Sequence, residues 1–98
     1  MEERKGSMEV YIIDYDKHMK LGDKRKVQAE DLSREGDYLG AKARYEQAAK
    51  EYAQAVDAAW GAGDKTRTTV AEAYSALCES MATEMIYRDV DAHTEICD

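Results

Sequence analysis

The reading that decides the fold begins at Gly36-Asp37-Tyr38-Leu39-Gly40-Ala41 and runs through Tyr45, Ala48, Tyr52 and Ala55 to Ala59-Trp60. Tyr38, Tyr45 and Tyr52 lie seven residues apart, and Ala59 continues the row. Ala41, Ala48, Ala55 and Ala62 form a second row three residues on. Seven residues are nearly two turns of helix, so both rows fall on one face. Ala49 and Val56 widen this stripe, while Lys42, Glu46, Lys50, Glu51, Gln54 and Asp57 occupy the other side. Large tyrosines alternating with small alanines admit a close neighbour that interdigitates with them. The spacing predicts a helix over 38–60, with Trp60 covering one end of the core.

Working outward, Gly22-Asp23, Gly36-Asp37 and Gly63-Asp64 punctuate the chain. Glycine suits the left-handed residue that ends a helix, and aspartate the cap that starts the next. After the last pair, Val70, Tyr74, Leu77, Met81, Met85 and Arg88 recur at helical spacing and predict a helix over 66–90. Its start is open between Asp64 and a capping box at Thr69-Val70-Ala71-Glu72. A first helix from about 9 to 35 would match the length of its neighbour, with Gly22 inside it at a cost of about 1 kcal/mol. The alternative is a break at Gly22, giving four helices.

Composition agrees with helices. The 98 residues contain no Pro, no Phe and no Asn, but 15 Ala. Only 13 residues are Leu, Ile, Val or Phe, so the core is small and help from a partner or a second copy is plausible. The net charge of −7 argues against sequence-independent nucleic-acid binding. No apolar stretch is long enough to cross a bilayer, so no membrane insertion is expected. The first residues lack the apolar region of an export signal, and Gly6-Ser7 before Met8 fits a cloning scar. A cytoplasmic setting with reduced Cys78 and Cys97 follows as the default. The expected layout is a disordered or tag-like 1–7, one helical domain over 8–91 and an acidic frayed tail over 92–98.

The segment Gly36-Asp37-Tyr38-x-x-Ala41-x-x-x-Tyr45-x-x-Ala48 resembles the turn and second helix of a tetratricopeptide repeat. Upstream, Ala29 and Leu32 suit that repeat, but Arg25 and Gln28 stand where it prefers Trp and Leu, and the pattern does not recur. A repeat-like hairpin followed by one long helix is similar to the microtubule-interacting and transport domain, over residues 19–88. That resemblance implies three antiparallel helices and a groove that captures partner segments. Mapped here, its partner-binding residues would be Tyr45, Ala49 or Val56 on the second helix, and Tyr74, Leu77, Met81 and Met85 on the third.

Chemistry-bearing constellations are sparse. His93 and Cys97 share a helical face, but zinc needs two more ligands. Asp14 and His18 share a face while Asp16 points elsewhere. Cys78 sits beside Leu77 as a core or boundary residue. Met81 and Met85, or the tyrosines if outward, could equally line a groove or pack a core. Lys24-Arg25-Lys26 is too short for a nucleic-acid patch. The early cations Lys17, Lys20, Lys24, Arg25 and Lys26 could pair with Glu79, Glu84, Asp89 and Asp91, within one molecule or between two. The sequence therefore predicts an all-α, non-catalytic protein-interaction module without cofactor or metal. The alternative is a self-assembling protein whose small core is completed by homodimerisation.

Overall fold

The structure is a computed structural model that describes residues 2–97, with side chains described for 9–94. It consists of three α-helices: α1 (Glu2–Arg34), α2 (Tyr38–Gly61) and α3 (Lys65–Cys97). The all-α fold of long antiparallel helices thus stands, and both outer helices run beyond their predicted ends. The expectations for the two termini fall largely on side chains outside the described ones.

Two of the three Gly-Asp pairs act as stop-and-restart signals. Gly36 and Gly63 take positive φ of 86° and 70°. Each ends its helix with paired return bonds: Asp37 N–H to Leu32 O with Gly36 N–H to Ser33 O, and Asp64 N–H to Ala59 O with Gly63 N–H to Trp60 O. Each aspartate then caps the following helix. Asp37 Oδ1 accepts from Gly40 N–H at 2.9 Å, and Asp64 Oδ1 from Arg67 N–H at 3.0 Å. Asp64 is therefore the cap of α3, and Thr69 instead bonds back to Lys65 O inside the helix.

Gly22-Asp23 is different, because α1 passes through it unbroken. The reason is packing. A Cβ on Gly22 would lie 2.6 Å from the ring of Tyr52, so only glycine lets α2 approach so closely. Asp23, freed from capping, accepts the Tyr52 hydroxyl proton at 2.5 Å. Gly61 repeats the device at the other end of the interface, beneath the ring of Tyr11.

α2 is the middle helix. It packs along both α1 and α3, which make only marginal contact with each other. At 1.5 Å per residue, α1 and α3 are roughly 50 Å long and α2 roughly 36 Å. The outer helices overshoot α2 at opposite ends, consistent with a molecule measuring 68 × 18 × 13 Å. The tyrosine and alanine rows face inward as read: Tyr45, Tyr52, Ala41, Ala48, Ala55 and Ala59 are all buried. Trp60 does not cover the core; it is 74% exposed.

On α3 the buried face is displaced by one position from the predicted one between Val70 and Met81, and rejoins it at Met85. Thr68, Ala71, Cys78, Ala82 and Met85 are buried, and Ser75 between them donates to Ala49 O at 3.1 Å. Val70, Tyr74 and Leu77 stand outside. The tyrosines of α2 already fill much of the space between helices, so the positions facing them are small except at Met85.

Candidate functional site

The sites expected from sequence divide into three groups. Tyr45 and Met85 are core residues, 3% and 0% exposed, and cannot meet a partner while the helices pack this way. Ala49 is likewise buried. Tyr74 and Leu77 are exposed at 39% and 44%, and Met81 is half-buried against the core. With Val70 they form a row on α3 at four-, three- and four-residue steps, hence one continuous apolar face. Val56, on α2, is half-buried and lies elsewhere, with Ala53 and Asp57 in a shallow cleft of about 350 Å³ facing Glu72, Ser75, Ala76 and Glu79 of α3. The structure thus brings Val70, Tyr74, Leu77 and Met81 together and separates Val56 from them.

The row lies on the side of α3 from which side chains reach α1. The Arg67 guanidinium sits 5.6 Å over the Tyr15 ring, and Arg88 donates to Ser33 Oγ at 3.4 Å. Tyr74 anchors the row to the core by stacking on Tyr52 with centroids 5.3 Å apart. Tyr52 therefore touches all three helices: its ring lies on Gly22, its hydroxyl binds Asp23 and its face meets Tyr74. Burial and the Asp23 carboxylate push its phenol well above the usual range.

No constellation of reactive groups surrounds the row. Burial pushes the Cys78 thiol up to about 11, so it stays protonated at neutral pH. His18 and Asp14 line a different cleft, on the α1–α2 side, with Tyr11, Gln54 and Asp57. There His18 Nδ1 pairs with Glu51 Oε2 at 3.0 Å. His93 is exposed and its Nδ1 lies 2.8 Å from Asp89 O, one turn back along α3. Among the described residues, no three His, Cys, Asp or Glu side chains are placed to hold a metal ion. Nor is any described helix long and apolar enough to cross a membrane. The anticipated ion pairs between α1 and α3 do not form among the described residues; the one pair between helices is His18–Glu51.

Compared with protein-family models, curated proteins and solved structures, the chain finds no match.

Proposed function

We propose that this chain is a non-catalytic protein-interaction module, and that the α3 face of Val70, Tyr74, Leu77 and Met81 docks a helix or short peptide of a partner protein. One observation carries this reading. α3 places Ala71, Ser75, Cys78 and Ala82 against α2, with Met85 buried beside them, while Val70, Tyr74 and Leu77 stay exposed in one row. Single exposed apolar residues are ordinary, but a contiguous row marks an interaction surface. A helix in an apolar groove is read through such i, i+3, i+4, i+7 anchors. The similarity to microtubule-interacting and transport domains belongs to this proposal and assigns the same duty to the third helix.

The test uses helical peptides selected by display against the wild-type chain. Leu77→Asp should weaken the selected binders by at least tenfold while leaving far-UV circular dichroism unchanged, because Leu77 is not a core residue. Binders indifferent to both Leu77→Asp and Val70→Asp would refute the assignment of the face.

A further inference from the structure

A different surface, on the outward sides of α1 and α3, carries a second inference. Ile13, Lys17, Lys20, Lys24 and Val27 follow one another at steps of four, three, four and three along α1. All five are exposed, and all lie opposite the buried row Tyr15, Gly22 and Ala29. On α3, Glu72, Ala76, Glu79, Thr83 and Ile86 follow the same alternation and are also exposed. This stripe borders the cleft floored by Ala53, Val56 and Ser75, away from the Val70–Met81 face. Among the described residues, none of Lys17, Lys20, Lys24, Glu72 or Glu79 has an ionic partner within 4 Å.

We infer that these two stripes are the halves of one contact, through which α1 of one copy lies antiparallel in the α2–α3 cleft of a second copy. The register argues for it. Lys17 and Lys24 are seven residues apart, as are Glu72 and Glu79, so both pairs span roughly 10.5 Å. Placing Lys17 opposite Glu79 sets Lys24 opposite Glu72. The same register brings Lys20 over the small Ala76 and Val10 over Ile86, both apolar and exposed. Small residues in the cleft let a helix approach, and the carboxylates on α3 meet the ammonium groups of the other copy. Each copy presents both halves, so the contact closes as a two-fold dimer where both pairings form at once, and propagates or closes into a ring where one pairing excludes the other. A single pair of helices is a small interface, and its charges are exposed. Assembly is therefore dependent on concentration and weakened by salt.

Sedimentation velocity over a range of concentrations, in low and high salt, tests this directly. The wild-type chain should associate with rising concentration, and raising the salt from about 0.05 to about 0.5 M should lower the association constant at least tenfold. Lys17→Glu with Lys24→Glu should be monomeric and normally helical, as should Glu72→Lys with Glu79→Lys. Mixing the two charge-reversed variants should restore association. Leu77→Asp should leave association intact, which separates this contact from the proposed partner-binding face. A wild-type monomer at every concentration would overturn the inference. So would association that persists in both charge-reversed variants, or variants that fail to combine when mixed.

Discussion

Tyr52 and Gly22 show how one residue decides the course of a helix. A glycine inside a helix costs about 1 kcal/mol relative to alanine, and on propensity alone Gly22→Ala should stabilise the protein. The structure reverses the sign. The added methyl would meet the buried Tyr52 ring at 2.6 Å, and that ring is held by Asp23 on one edge and Tyr74 on one face. Overpacking of this kind costs about 1–3 kcal/mol, so Gly22→Ala should lower the urea midpoint. A raised midpoint would show that the ring has room to move. Cys78 gives a second prediction at this scale. Burial raises its thiol from 9.0 to about 11, and burial also raises the phenols of Tyr15, Tyr45 and Tyr52. The folded state thus holds these protons more tightly than the unfolded chain does. The Cys78 contribution is complete below about pH 9 and is lost as the pH climbs through about 11, at up to about 1.4 kcal/mol per pH unit, and the phenols begin to lose theirs above about pH 10. Melting temperatures measured from pH 7 to 11 should fall at the alkaline end, and Cys78→Ala should fall less steeply between 9 and 11.

At the scale of elements, what could be read from the sequence depended on side-chain size. α2 is legible because Tyr45 and Tyr52 mark the core face at a seven-residue period, although Leu39 and Trp60 of the same helix stand outside. α3 misleads because the relation is inverted. Val70, Tyr74 and Leu77 outweigh Ala71, Ser75, Cys78 and Ala82 in hydrophobicity, yet the smaller set faces α2. The unbroken three-and-four spacing from Thr68 to Met85 was the available signal, and weak apolar character concealed it. Tyr45 and Met85, assigned to a partner groove by the resemblance, are buried in the core, since hydrophobicity alone does not distinguish core from groove. The Gly-Asp pairs are a local code that two sites obey and a tertiary contact overrides at the third. The caps themselves are testable. Asp37 accepts the Gly40 amide, and Asp37→Ala should cost about 1 kcal/mol and lower the melting temperature by roughly 4–8 °C. Asp64→Ala should likewise lower the melting temperature, because Asp64 caps α3 through the Arg67 amide and its carboxylate also binds the Arg67 guanidinium at 2.6 Å. The Arg67 backbone amide, followed by its guanidinium, holds the Asp64 carboxyl below the usual carboxylate range, so its contribution disappears as the pH drops below that range.

For the whole molecule, the arrangement around α2 makes the three helices interdependent although α1 and α3 barely meet. One core cluster draws Ala29 from α1, Tyr45 and Tyr52 from α2, and Cys78 and Met85 from α3. The other combines Tyr15 of α1, Ala55, Ala58 and Ala59 of α2 and Ala71 of α3. Removing an outer helix strips both clusters of members, and most helical stability in proteins comes from such tertiary packing. A fragment comprising residues 1–62 keeps the whole α1–α2 hairpin but exposes Tyr45, Tyr52, Ala49 and Val56. Its ellipticity per residue at 222 nm should fall well below that of the full chain, and its melt should lose cooperativity. In the full chain, loss of ellipticity and loss of the near-ultraviolet tyrosine signal should coincide, because the tyrosines and the helix contacts form one unit. Trp60 is largely exposed, so its emission should shift little in the same transition. A hairpin fragment that melts cooperatively with full helicity would mean that α3 is an appendage, and that its apolar outer face is carried by a helix docked on an already complete fold.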